Sequence, residues 1–117
     1  MLRMKRVYET PSPDDGQRVL VDRLWPRGLS KEAAKVDEWR RALAPSDELR
    51  KWYGHDPAKW DEFRRRYRAE LEAAGELESL RALKAKAGGE NVTLVFAASD
   101  EEHSNAAFLL ELAQELS

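Results

Sequence analysis

The sequence contains no cysteine. This absence excludes a disulfide-stabilised scaffold, a zinc site built from thiolates and a cysteine nucleophile. It suits a reducing compartment, and we expect a cytoplasmic protein. The chain also lacks any run of 18 apolar residues, so no membrane-spanning helix is expected, and its first residues, MLRMKRVYE, have no apolar stretch of signal-peptide length.

Histidine is scarce, and the common cofactor motifs are missing. The two histidines, His55 and His103, lie 48 positions apart and lack the spacing typical of metal ligands. The chain has neither the glycine-rich motifs that hold dinucleotides or phosphates nor the GxSxG turn of many hydrolases. The sequence therefore indicates no metal and no cofactor, and no single motif identifies a reaction.

Charge is abundant but distributed unevenly. The formal net charge of −2 argues against general affinity for nucleic acids. Residues 99–117 carry a charge of −5 with no lysine or arginine, which leaves +3 on residues 1–98. This asymmetry allows a locally basic cleft beside an acidic C-terminal helix.

Three segments have the composition of β-strands. Residues 2–8 alternate roughly between apolar and basic side chains, and residues 18–22 form a short apolar run. Residues 92–98 (VTLVFAA) are almost entirely apolar, which is typical of a strand covered on both faces. Residues 36–43 could contain a fourth strand, although the triplet Trp39-Arg40-Arg41 favours a helix.

Helices are predicted between and after these strands, most of them with a recognisable start or stop residue. The first two predicted helices begin after Ser30 and after Ser46, and the third starts at Asp56-Pro57. The fourth covers residues 76–87. The last runs from Ser99, which has capping-box spacing with Glu102, to about Leu116. Strands separated by helices predict an α/β fold. We expect residues 1–117 to form one domain, a small three-layer sandwich whose short, mostly parallel sheet of three to four strands is flanked by helices.

Two strand ends are followed by polar side chains. In open α/β sheets, ligands bind beyond the carboxyl ends of the strands. One end continues as VLVD-RLWPRG and the other as VFAA-SDEEHSN. If the two strands are parallel neighbours, Arg27 and His103 should border one pocket.

We assign a predicted role to the residues of this expected pocket. We predict His103 as a general acid or base, with Asp22 or Asp100 orienting its ring. The predicted ligand-binding groups are Arg23, Arg27, the peptide N–H of Gly28, Trp25, His55 and Asn105. The alternative for His103 is a packing histidine bonded to a backbone carbonyl, and the alternative for His55 is packing against Trp60.

The two arginines also have an alternative without a ligand. Arg23 or Arg27 could pair with the protein's own carboxylates, such as Asp22, Asp100 or Glu102, and so tie the turn to the last helix.

A basic cluster occurs at Arg64, Arg65, Arg66 and Arg68. Acidic residues stand four positions before Arg65 and Arg66, which is typical of a solvent-exposed helix face with many ion pairs. We therefore expect this cluster to be a solvated face and not a nucleic-acid surface, although Arg64 could reach the cleft.

Three blocks of the sequence resemble one known family. The blocks RVYETPSPDDGQRVLVDRLWPRGLSKE, LAPSDELRKWYGHDPAKWDEFRRRYRAEL and VTLVFAASDEEHSNAAFL are similar to the YeaO-like proteins, bacterial and archaeal proteins that share domain of unknown function 488. The resemblance covers almost the entire chain and implies a compact α/β domain without naming a reaction. The family's motif positions correspond here to Asp22, Arg23, Trp25, Pro26, Arg27, Gly28, Trp52, His55, Asp56, Asp100, His103 and Asn105.

Two functions remain open on the sequence alone. The first is a polar Arg/His/Asp cleft that binds an anionic small molecule, with or without acting on it. The second is a binding or regulatory module without chemistry that uses the Arg64–Arg68 helix or the surface around Trp25 and Trp52 to contact protein or nucleic acid. No membrane partner is expected, nucleic acid is disfavoured, and the protein is expected to be a monomer or a homodimer.

Overall fold

The structure, a computed structural model, describes residues 1–116. Four parallel strands form one sheet in the order β1-β4-β2-β3. The strands are β1 (Leu2–Arg6), β2 (Gln17–Leu20), β3 (Glu38–Trp39) and β4 (Val92–Phe96). The helices are α1 (Lys31–Ala34), α2 (Asp47–Tyr53), α3 (Trp60–Ala73), α4 (Leu77–Lys86) and α5 (Asn105–Glu115). The predicted α/β class with a parallel sheet is confirmed.

The sheet separates two apolar layers of unequal thickness. Alternate residues of a strand point to opposite faces, so Leu94 packs into the large core with the helices α2 to α5, while Val95 packs on the other side. That second side is covered by Ala34 of α1 and by loop side chains that include Trp25. Every residue of β4 is buried, as its apolar sequence predicts.

Local capping chemistry places the helix starts largely as predicted. The hydroxyl oxygen of Ser46 accepts a hydrogen bond from the N–H of Leu49 (3.1 Å) and caps α2. Asp56 caps a short 3-10 turn, Pro57–Lys59, that leads directly into α3. Helix α3 buries Phe63, Tyr67 and Leu71 on one face. These starts depend on residues within a few positions of each other, which is why the pattern predicts them.

The helical interpretation of residues 39–41 holds only for Arg41, which begins a 3-10 turn (Arg41–Leu43), because Glu38–Trp39 forms the edge strand β3. The peptide N–H of Asp37 donates to the carbonyl of Arg18 (2.8 Å), and that of Arg40 donates to the carbonyl of Leu20 (2.8 Å). These bonds to β2 replace the bonds that a local helix would make.

The predicted start of the last helix at Ser99 is also wrong, because α5 begins at Asn105 with Ser104 as its cap. The N–H of Ala107 donates to the hydroxyl oxygen of Ser104 (3.1 Å). The preceding residues form a turn in which the N–H of His103 donates to the Asp100 carboxylate (3.3 Å). Residues 99–102 are therefore not at a helix terminus.

None of the helices in residues 1–116 combines the length and the apolar composition needed to cross a membrane.

Candidate functional site

A cavity of about 670 Å³ lies beyond the carboxyl ends of β2 and β4. Arg27 and His103 both line it, as the convergence of the two strand ends predicts. The other predicted residues that line it are Asp22, Asp100, Arg23, Trp25, His55 and Asn105. Gly28 does not line the cavity, so the structure does not bring it together with the other predicted residues. The turn carries Gly28 away from the cavity with a φ of 73°.

Asp22 connects the two strand ends. One carboxylate oxygen accepts a hydrogen bond from the N–H of Ala97 (2.8 Å), and the other accepts one from the side-chain amide of Asn105 (3.1 Å). The same amide also donates to the carbonyl of Val21 (2.9 Å). Asn105 therefore serves as a clamp between α5 and the end of β2, and its amide group already has two partners.

Burial raises the pKa of Asp22, and the hydrogen bonds from Ala97 and Asn105 and the nearby charges of His55 and Arg50 only partly oppose this effect. A carboxyl group whose pKa is raised by folding stabilises the folded protein at pH values below the group's unfolded pKa. This contribution to stability is lost as the pH rises through the group's folded pKa. Burial therefore makes the ionised form of Asp22 less favourable than in the unfolded chain, and perturbed pKa values of this kind cluster at functional sites.

We expect Asp22→Ala to destabilise the protein by about 1–3 kcal/mol, because the N–H of Ala97 loses its partner at the end of β4. Urea unfolding at neutral pH measures this change. The control is Asp14→Ala, since Asp14 is exposed and its carboxylate makes no hydrogen bond within residues 1–116. Equal stability of the two variants would contradict the clamp.

Besides the hydrogen bond from its peptide N–H to Asp100, three contacts position His103. Its Nδ1 lies 2.8 Å from a carboxylate oxygen of Asp100, and its carbonyl accepts a hydrogen bond from the hydroxyl of Tyr53 (2.8 Å). Its ring stands edge-on to Trp60, with centroids 5.4 Å apart. The hydrogen bond from His103 lowers the pKa of Asp100. Because an ionised carboxylate only accepts hydrogen bonds, Nδ1 carries a hydrogen and Nε2 is left for another partner.

An aromatic wall supports this arrangement. The Tyr53 ring stacks on Phe63 with centroids 4.1 Å apart, and both residues line the cavity. Burial, with smaller contributions from Asp100 and Asp56, raises the pKa of Tyr53 to about 12. Tyr53 is therefore a neutral hydrogen-bond donor to His103 at physiological pH and not a base.

Arg23 has none of the carboxylate partners considered for it. Its Nε donates to the carbonyl of Pro45 (3.0 Å) and lies 4.0 Å from the carboxylate of Asp47. Asp47 also accepts from Arg50 at 3.2 Å. One exposed carboxylate therefore serves two arginines that line the cavity.

The guanidinium of Arg27 makes no hydrogen bond or ion pair with any of the residues 1–116, whereas its carbonyl accepts one from the hydroxyl of Tyr8 (2.9 Å). The alternative in which Arg27 is tied to the last helix by a carboxylate is wrong.

The two remaining predicted ligand residues occupy different settings. His55 is exposed and adopts a left-handed backbone conformation (φ 56°), with its ring 6.2 Å from that of Tyr53. Trp25 packs edge-on against Trp39 (5.5 Å between centroids) and donates to the carbonyl of Leu29 (2.6 Å). Trp25 is therefore partly a packing residue of the second core layer.

Arg6 and Arg50 also line the cavity, and the sequence reasoning missed both. Arg6 ends β1 and pairs in register with Phe96 of β4, so it reaches the same edge of the sheet. The rule that directs attention to the carboxyl ends of β2 and β4 applies equally to β1 and could have found Arg6. Arg50 lies on α2, and no local signal distinguishes it from Lys51.

The basic cluster on α3 is fully paired. Arg65 and Arg66 both bond to Glu62, and Arg68 bonds to Glu72 and Glu115. Arg64 bonds to Asp61 and Glu111 and does not line the cavity. The predicted solvated, ion-paired face is confirmed, and the suggestion that Arg64 reaches the cleft is wrong.

No three acidic or histidine side chains within residues 1–116 come together in a way that could hold a metal ion.

Comparisons with known proteins agree with the resemblance seen in the sequence. Uncharacterized protein Rv3073c of Mycobacterium tuberculosis (strain H37Rv) is 48% identical over 111 residues, which is 95% of this chain and 92% of that protein. Uncharacterized protein YeaO of Escherichia coli (strain K12) is 38% identical over 115 residues, or 98% of each chain. No solved structure matches the chain. The model of the family described as "Inactive DUF488-N3 subclade" matches residues 1–117, and the chain belongs to this family.

Proposed function

We propose that this protein binds an anionic small molecule in the cavity at the carboxyl ends of the sheet. The observation that carries the proposal is the convergence on one cavity of four arginines from three segments, namely Arg6 at the end of β1, Arg23 and Arg27 after β2, and Arg50 on α2. Guanidinium groups favour carboxylate and phosphate ligands because several N–H donors point in one plane.

The charge balance of the lining supports an anion. The cavity's own carboxylates are Asp22 and Asp100, and both already accept hydrogen bonds from protein groups. Arg23 and Arg50 share the single carboxylate of Asp47 outside the cavity, and Arg27 has none. The positive charges therefore exceed the negative charges around this space.

The residues that line the cavity would have different roles in binding. Arg27 and Arg23 would hold the anion, with His55 and the free Nε2 of His103 as further polar contacts. Asn105 and Asp22 would keep the two strand ends in place, and Trp25 would form part of the apolar wall. A cavity of about 670 Å³ lies within the range typical of small-molecule sites, about 300–1,000 Å³.

Catalysis by His103 is a second candidate, and the Asp100–His103 contact favours it. An orienting carboxylate on Nδ1 leaves Nε2 available for proton transfer. The word "inactive" in the family's description favours binding without turnover. Loss of turnover but not of ligand affinity in His103→Gln would support catalysis, and binding without turnover in the wild type would exclude it for that ligand.

The alternative of a module for nucleic acid or protein has less support. The arginines of the Arg64–Arg68 helix are already paired with acidic side chains. The guanidinium carbon of Arg66, a residue of α3, lies 4.2 Å from the centroid of the Trp52 ring. These arginines therefore offer no unpaired charge, and the Trp52 ring is already in contact with two cationic side chains, Lys59 and Arg66.

The test is the unfolding temperature of the wild-type protein as inorganic phosphate and citrate are titrated at constant ionic strength. A ligand that binds the folded state raises this temperature. We expect the rise to saturate, because excluded kosmotropic salts stabilise proteins without saturation. A rise that never saturates for either anion would contradict the proposal.

A further inference from the structure

The rim of the cavity carries exposed apolar side chains. Within residues 1–116, the large hydrophobic side chains that remain exposed are Met1, Tyr8 and Leu24. Tyr8 is 43% exposed and Leu24 is 59% exposed, and both line the cavity, whereas Met1 does not. Exposed apolar groups collected at a cleft are typical of a binding site.

Tyr8 is held in place instead of being free at the surface. Its hydroxyl donates to the carbonyl of Arg27 (2.9 Å), and the guanidinium carbon of Arg6 lies 5.3 Å from its ring centroid. Arg6 is fixed in turn by hydrogen bonds to the carbonyls of Ala98 (2.9 Å) and Ala97 (3.0 Å). The apolar rim is therefore anchored directly beside the backbone of Arg27.

The cavity is also larger than a simple inorganic anion needs. A water molecule occupies about 30 Å³ of liquid, and an inorganic anion is only a few times larger, whereas the cavity measures about 670 Å³. The lining of the whole cavity is more apolar than polar, and its apolar residues include Leu24, Pro26 and Phe63.

From this juxtaposition we propose that the ligand is a phosphate or carboxylate group attached to a planar ring, with the anion at Arg27 and the ring against Leu24 and Tyr8. This inference rests on the proposed function and adds the chemical class of the ligand. A planar ring contacts Leu24 and the Tyr8 ring at small entropic cost, while the anion takes the arginine that has no protein partner.

Isothermal titration with inorganic phosphate, phenyl phosphate and the uncharged benzyl alcohol tests the inference. We expect phenyl phosphate to bind at least about tenfold more tightly than inorganic phosphate, since the ring buries apolar surface. Benzyl alcohol, which lacks the anion, should bind more weakly than phenyl phosphate. The variant Leu24→Ser should lose most of the extra affinity for phenyl phosphate without a change in its affinity for inorganic phosphate. The matched control Leu24→Met should keep the extra affinity for phenyl phosphate.

The outcomes separate the two proposals. Equal affinities for phenyl phosphate and inorganic phosphate would overturn the ligand class and leave the anion site standing. Absence of binding by either anion would overturn both. A dimer that Leu24→Ser dissociates would assign the apolar rim to a second copy of the chain and also overturn the ligand class.

Discussion

Replacing Arg18 by Met is expected to destabilise the protein by about 3 kcal/mol, because it removes the nearer of the two cations that neutralise the buried carboxylate of Asp15. Arg18 is only 3% exposed, and it donates to the carboxylate of Asp15 (2.7 Å) and to the carbonyl of Ala34. Asp15 is 1% exposed, and its other contact with a cation is Lys5 at 3.1 Å. Urea unfolding of the wild type and the variant measures the difference.

The control for this prediction is Arg81→Met. Arg81 also pairs with an acid three positions away, Glu78, but its side chain is 40% exposed. Exposed pairs of this kind contribute about 0–1 kcal/mol. Similar losses of unfolding free energy in Arg18→Met and Arg81→Met would show that burial does not determine how much the Asp15–Arg18 pair contributes to stability.

The effect of Arg18→Met should depend on pH with a definite sign. Burial would raise the pKa of Asp15, but hydrogen bonds from the N–H of Ser12, from Lys5 and from Arg18 outweigh it and lower the pKa below 3.8. A lowered pKa contributes stability above the unfolded value that is lost as the pH falls through the folded value. The difference in free energy of unfolding between the wild type and Arg18→Met should therefore become smaller as the pH falls below about 3.8.

The second large effect is expected on ligand affinity. Arg27→Gln should weaken the binding of inorganic phosphate by about tenfold or more, since a hydrogen bond to a charged group contributes about 1.5–3 kcal/mol. Stability should change by less than about 0.5 kcal/mol, because the Arg27 guanidinium has no partner within residues 1–116. Isothermal titration and urea unfolding measure the two quantities.

Arg65→Gln is the matched control for Arg27→Gln. It removes the same charge from an α3 side chain that is 78% exposed and does not line the cavity. We expect its phosphate affinity to equal that of the wild type. Equal weakening in the two variants would indicate a general effect of net charge, and wild-type affinity in Arg27→Gln would remove Arg27 from the site.

The two strand ends show how far local pattern carries a site prediction. The apolar runs before Asp22 and before Ser99 identify buried strands, and parallel neighbours place their carboxyl ends together. This reasoning correctly predicted that Arg27 and His103 border one cavity. It could not predict that Arg23 bonds to Pro45, because nothing near Arg23 in the chain indicates which loop covers it.

Errors occurred where two local signals compete. Ser99 and Ser104 both have the chemistry of a helix cap, and the turn held by Asp100 and His103 selects Ser104. Trp39 lies in a segment of helical composition, yet pairing with β2 makes it part of a strand. In both cases the decisive hydrogen bonds depend on how distant segments pack.

Local sequence pattern was enough to predict the α/β class, the buried strand β4, most helix caps and the ion pairing of Arg65 and Arg66 on α3, because each depends on residues a few positions apart. The edge strand β3, the free guanidinium of Arg27 and the position of Arg50 beside the cavity depend instead on contacts between remote segments. The physical reason is that a charged side chain takes its role from the partners that folding brings within hydrogen-bond distance, and those partners come from remote parts of the chain.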